Sequence, residues 1–157
     1  MDLDYAGDLT PEQVWTLLKE DKNSQLVDCR TSAEWSLVGV PELESIEKLP
    51  LFIEWQTFPM MEKNQRFLQE ISENITDKST KIIFLCRSGA RSRSAAEFLT
   101  AQGFNKCYNC IEGFEGNHNE LGQRSTVNGW KFSGLPWNLY AYSWSWSLEF
   151  IQLVLVL

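Results

Sequence analysis

Lys81-Ile82-Ile83-Phe84-Leu85-Cys86-Arg87-Ser88-Gly89-Ala90-Arg91-Ser92-Arg93 decides both the fold and the chemistry of this chain. Residues 81–85 are nearly all apolar, the pattern of a central strand buried on both faces. Cys86 to Arg91 reads as a small-residue loop, and Ser92 to Gln102 as a helix ended by Gly103. A cysteine is thereby set at the C-terminal end of a buried strand, facing a helix start, where ligands lie in open α/β sheets. A tight loop there turns successive N–H groups toward one point, and the helix N-terminus adds partial positive charge. Lys78, Lys81, Arg87, Arg91 and Arg93 lie between Asp77 and Glu97 in the sequence, and no acidic residue does. The surroundings of Cys86 favour an anion, its own thiolate included. A free cysteine is only about 3% ionised at pH 7, so such surroundings convert a thiol into a nucleophile. The thiolate can attack sulfur, and the resulting persulfide is again an anion held by the same amides. A buried core cysteine would account for the strand end, but not for three arginines in the next seven positions.

Working outward, Thr10, Pro11 and Gln13 read as the cap, first position and capping-box partner of a helix that runs to about Glu20, with Gly7 to Leu9 leading into it. Gln25 to Cys29 is a short strand, and Ala33 to about Val38 a short helix that Gly39-Val40-Pro41 breaks. Ser45 to Leu51 could hold a further strand, limited by Pro50. A loop through Phe58-Pro59 leads to a helix from about Glu62 to Glu73, and Lys106 to Ile111 is the last strand before a glycine-marked irregular segment. Strands alternating with helices predict an α/β fold with a central, mainly parallel sheet flanked by helices.

The chain has 157 residues, 43% hydrophobic and 22% charged, which suits one domain with a real core. Lys and Arg number 14 against 21 Asp and Glu, a net −7 that argues against nucleic acid as a partner. The charge is uneven: residues 1–77 carry 6 basic and 16 acidic side chains, residues 78–157 carry 8 and 5, so an anion site belongs in the second half. Four cysteines in this length do not make a disulfide scaffold, and Met1-Asp2-Leu3-Asp4 lacks the basic start of a signal peptide. A cytoplasmic protein with reduced thiols is expected. With one histidine, His118, a metal site has almost nothing to stand on.

Cys86-Arg87-Ser88-Gly89-Ala90-Arg91-Ser92 resembles the active-site loop of rhodanese-like sulfurtransferases. Upstream, Val27-Asp28-Cys29-Arg30, Glu34-Trp35, Gly39 and Pro41 resemble a second family region, and Ile111-Glu112-Gly113-Phe114 a third. Asn128-Gly129-Trp130-Lys131 with Gly134-Leu135-Pro136-Trp137 is similar to the ending of many single-domain members, so the likeness spans residues 3–138. The resemblance implies a rhodanese-like three-layer fold with a five-stranded sheet, and a sulfurtransferase with Cys86 as sulfur acceptor and donor. A small anionic donor such as thiosulfate would be cleaved and its sulfur passed to cyanide or a thiol, without a cofactor. Arg87, Ser88, Gly89, Ala90, Arg91 and Ser92 would form the substrate cradle; Asp28, Arg30 and Glu34 would support fold and loop. Trp35 is expected in the core, and Cys29 as a small apolar substitute for the family's more usual Val or Ile. The stretch Gly39-Val40-Pro41 is one residue shorter than the family's Gly-His-Ile-Pro and lacks its histidine, which bears on packing and not on chemistry.

Two other readings stay open: a relay module that takes persulfide sulfur from a protein donor and delivers it to a biosynthetic acceptor, and a non-catalytic docking domain. The retained Cys86 speaks against the second. Phosphatases on this fold resemble Cys-x5-Arg, whereas Arg91 is the fifth residue after Cys86 and Ser92 stands where a phosphatase needs arginine. Cys107 and Cys110 have Cys-x-x-Cys spacing but fall in a strand, where positions three apart face opposite sides. His118, Arg93 and Arg124 read as solvated surface residues. Residues 139–157 form an apolar tail outside the likeness, strand-like from Tyr142 to Leu157; its fully apolar end, Leu153 to Leu157, is far short of the ~20 residues a membrane span needs. Edge pairing, burial against the domain, a dimer contact and aggregation are its open roles.

Overall fold

The structure, a computed structural model, describes residues 3–139. Two capping boxes place the first two helices. In chain order the elements are β1 (Gly7–Leu9), α1 (Pro11–Glu20), β2 (Gln25–Asp28), α2 (Ser32–Val38), β3 (Val40–Pro41), β4 (Leu51–Phe52), β5 (Gln56–Thr57) and β6 (Glu62–Lys63). α3 (Phe67–Asn74), β7 (Ile82–Leu85), α4 (Ala90–Ala101), β8 (Cys107–Cys110) and β9 (Trp137–Asn138) follow. The Thr10 hydroxyl accepts from Gln13 N–H while the Gln13 side chain accepts from Thr10 N–H, and Thr31 and Glu34 repeat the arrangement at α2. Each box satisfies two N–H groups that a helix start leaves without partners.

The fold is α/β, with a central parallel sheet ordered β1-β8-β7-β2-β4. β7 lies in the middle and all four of its residues are buried. On one face, Phe67 and Ile71 of α3 and Ala95, Ala96 and Leu99 of α4 pack against Val27, Ile82, Phe84 and Cys107. On the other, Val14 and Leu18 of α1 join Phe114 and Trp130 over Leu26, Ile83, Leu85 and Cys110. Cys107 and Cys110 thus point into opposite cores, as strand periodicity requires, and all four cysteines are free thiols. Cys29 and Trp35 are buried; Trp35 packs edge-on to Phe52 with ring centroids 5.2 Å apart. Among the described residues, no helix is long and apolar enough to cross a membrane.

The structure departs from the sequence reading at four places. Gly7–Leu9 is not merely the lead into α1 but an edge strand paired with β8, too short to show a period. Residues 45–49 are not strand: Glu44–Ile46 is a 3-10 turn, and the ladder with β2 begins only after Pro50, which has no N–H to give it. The helix expected from Glu62 begins at Phe67, because Glu62–Lys63 pair with Gln56–Thr57 in a small hairpin. Asn64 closes that hairpin, donating through its side chain to Glu54 C=O and accepting from Arg66 N–H. Lastly, α4 starts at Ala90 and not at Ser92, so Ala90 and Arg91 belong to its first turn. The tail segment Tyr142 to Leu157 lies outside the described residues.

Candidate active site

The C-terminal ends of β2, β7 and β8 converge, and each brings a piece of the site. Cys86 follows β7 directly and is 1% exposed, at the floor of a cavity of about 320 Å³. Arg87, Ser88, Ala90, Arg91, Glu34 and Met61 form its walls. Larger hollows of about 540 Å³ beside Lys81 and Lys106, at the opposite end of the strands, and of about 600 Å³ beside Tyr5 and Glu97 contain no cysteine. Size alone therefore does not mark the site.

The loop is shaped from below. Gly89 takes φ +108°, a conformation that favours glycine, and its N–H donates to Cys86 Sγ at 3.1 Å. Ala90 and Arg91 then open α4, where no preceding turn accepts their N–H groups. The carbonyls of the loop are held on the far side: Phe114 N–H donates to Cys86 C=O at 2.8 Å, and Glu115 and Gly116 N–H to Arg87 C=O at 3.0 and 3.2 Å. This is the physical work of the Ile111-Glu112-Gly113-Phe114 stretch. Gly113 lies so close that an added Cβ would sit 2.5 Å from the Cys86 and Arg87 carbonyl oxygens.

Of the upstream residues, Asp28 and Arg30 buttress the site from outside it, whereas Glu34 also lines the cavity. Asp28 and Arg30 form a fully buried pair at 2.7 Å. Arg30 also donates to Gly39 C=O at 2.8 Å and stacks over Phe114 at 4.1 Å, tying the end of β2 to the segment that supports the loop. Glu34 takes both terminal nitrogens of Arg91, at 2.7 and 2.9 Å. Burial pulls the Glu34 carboxyl up, but the Arg91 hydrogen bonds and charge outweigh it and hold it below the ordinary carboxylate range. Burial likewise opposes the Arg91 charge and is outweighed by Glu34, which holds the guanidinium above its usual range. Arg91 of α4 and Glu34 of α2 therefore meet in the cavity wall as a fixed ion pair. Arg87 is exposed beside it.

Ser92 occupies a different place from the other cradle residues: its hydroxyl is buried behind the sulfur, 3.1 Å from Sγ. It donates to Asn109 Oδ1 at 2.6 Å. The other thiols differ from Cys86 in setting. Burial, with the nearby Cys86 and Asp28, pushes Cys29 well up; burial pushes Cys107 up to about 11 and Cys110 further still. His118 is exposed on its loop. Among the described residues, no three His, Cys, Asp or Glu side chains gather as a metal site.

A family model described as the STR4 middle domain matches residues 7–143. The chain belongs to this rhodanese-like family. A Rickettsia rickettsii protein titled as an uncharacterized RP600 homolog is 42% identical over 125 residues, 80% of this chain and 91% of that one. The crystal structure of Rv0390 from M. tuberculosis superposes with TM-score 0.79 at 43% identity, covering 86% of this chain and 98% of that one. More distantly, the thiosulfate sulfurtransferase GlpE of Actinobacillus pleuropneumoniae is 26% identical over 82% of this chain and 90% of its own. Two residues of this rhodanese-like domain escape sequence reading. They are Asn109 and Asp8, to which the sequence reading assigns no role and which the structure joins to Ser92. No local signal could have found that link.

Proposed function

We propose that this domain is a sulfurtransferase in which Cys86 carries sulfane sulfur as a persulfide. The observation that carries the reading is the Cys86 sulfur at the cavity floor, bonded by Gly89 N–H at the start of α4 and walled by Arg87 and Arg91. A donor such as thiosulfate places its anionic end against these groups and its outer sulfur against Sγ. The Cys86 thiolate attacks that sulfur; the S–S bond of the donor breaks, and its electron pair leaves with sulfite. The persulfide carries the negative charge on its outer sulfur, within reach of the loop N–H groups. A thiolate or cyanide then attacks the outer sulfur and returns Cys86 as thiolate, which closes the cycle with no net redox change. The free thiols suit a reducing compartment such as the cytoplasm.

Thiocyanate release from thiosulfate and cyanide tests the reading. Wild type turns over, and Cys86→Ser loses turnover while keeping its unfolding transition. Substantial activity in Cys86→Ser would place the nucleophile elsewhere.

A further inference from the structure

Resting on that reading of Cys86, we propose that Asp8, an exposed carboxylate on the outer strand β1, sets the direction of a hydrogen-bond chain ending at the Cys86 sulfur and thereby governs the pH at which that thiol becomes reactive. The chain is continuous. Ser92 Oγ is 3.1 Å from Sγ and donates to Asn109 Oδ1 at 2.6 Å. Asn109 Nδ2 donates to Asp8 Oδ1 at 3.0 Å, and the Tyr5 hydroxyl donates to the same oxygen at 2.8 Å. Ser92 and Asn109 are buried between α4 and β8, where a polar pair is kept only if every group is satisfied.

Its polarity follows from donor and acceptor inventory. An ionised carboxylate only accepts, so Asp8 draws the NH₂ side of the Asn109 amide and leaves the carbonyl facing Ser92. That carbonyl also only accepts, so the single Ser92 proton goes to Asn109. Ser92 then shows lone pairs to the sulfur. A thiol can donate to them, whereas a thiolate gains nothing from them. An amide passes no proton along such a chain; it can only turn over. Without the carboxylate, Asn109 is free to turn, donate from Nδ2 to Ser92, and release the Ser92 proton to the sulfur. Asp8 is in this sense a positioning residue that favours the resting thiol, against the Gly89 N–H that favours the thiolate.

Other charges face the two ends without changing the direction of the chain. Around the sulfur these are Arg87 of the loop, Arg91 of α4 with its Glu34 partner from α2, Cys29 after β2, and Cys110 and Glu112 at the end of β8. Around Asp8 they are Tyr5 and the Arg93–Glu97 pair of α4.

The test is the pH profile of iodoacetamide alkylation at Cys86 in the full chain, read by peptide mass from about pH 5 to about pH 10. A hydrogen bond gained by the charged form is worth about one pH unit, so the Asp8→Ala midpoint falls by about that much and alkylation below both midpoints rises about tenfold. Asp8→Glu, which keeps an acceptor, holds the wild-type midpoint. In a Ser92→Ala background, Asp8→Ala changes nothing, since the chain is already cut. The Asp8→Ala shift also persists at about 1 M salt, where the screening length is about 3 Å. An unchanged Asp8→Ala midpoint overturns the proposal. So does a shift that survives Ser92→Ala or disappears in high salt, either of which makes Asp8 a plain charge effect. Alkylation needs no sulfur donor, so failed persulfide loading with this shift intact refutes the sulfur-transfer reading alone.

Discussion

Gly113→Ala, set beside Gly122→Ala, tests whether Gly113 shapes the loop that carries Cys86. Gly113 has φ +66°, and its added methyl would meet the Arg87 carbonyl and the Cys86 oxygen at 2.5 Å. Ordinary contact begins at 3.4 Å, so the loop backbone must retreat by nearly the difference. That retreat weakens Phe114 N–H to Cys86 C=O and Glu115 N–H to Arg87 C=O, each worth about 1 kcal/mol. The left-handed conformation adds about 1 kcal/mol for a residue with a side chain. Gly122→Ala is the control: φ is +76° but nothing lies within 4 Å of the added methyl, so only the conformational cost applies. Urea unfolding is therefore expected to show Gly113→Ala about 3 kcal/mol below wild type and Gly122→Ala about 1 kcal/mol below. Sulfur loading from thiosulfate falls about 100-fold in the first, because a misplacement near 1 Å costs that much, and is unchanged in the second. Equal stability and equal loading in the two variants would refute the claim that Gly113 shapes the loop.

Brief iodoacetamide treatment at neutral pH modifies Cys86 ahead of Cys29, Cys107 and Cys110, whose thiols burial pushes up, Cys107 to about 11; equal rates at all four, read by peptide mass, would contradict this. Glu34 is held below its usual 4.5 in the folded chain, so its contribution is present above that value and lost as pH falls through the folded value. Glu34→Gln accordingly lowers stability by about 1–2 kcal/mol at pH 7, and the gap to wild type closes at acid pH. Urea midpoints at neutral and acid pH check the sign; a gap that widens in acid would reverse it.

The parts of the fold that were legible in the sequence are those set by local chemistry. Thr10 with Gln13 announces a helix start because the capping box joins residues three apart, and Ile82 to Leu85 reads as a central strand because both of its faces are apolar. The Cys86 loop is legible for the same reason: cysteine, glycine and arginines are neighbours in the chain. What was not legible depends on distant partners. Gly7–Leu9 becomes a strand only by pairing with β8, and Glu62–Lys63 leave the helical pattern only by pairing with Gln56–Thr57. The Glu34–Arg91 bond joins residues 57 apart, and Asn109 meets Asp8 across 101. Gly113 marks its own need for a left-handed turn, but the carbonyls it presses against belong to another loop.

The most direct test of the central claim is intact mass after incubation with thiosulfate, before and after reductant, with Cys86→Ser alongside. Sulfur transfer through Cys86 predicts a reductant-sensitive gain of one sulfur, about 32 Da, on wild type alone, because the nucleophile keeps the atom it captures. No gain on wild type, or the same gain on Cys86→Ser, would contradict it.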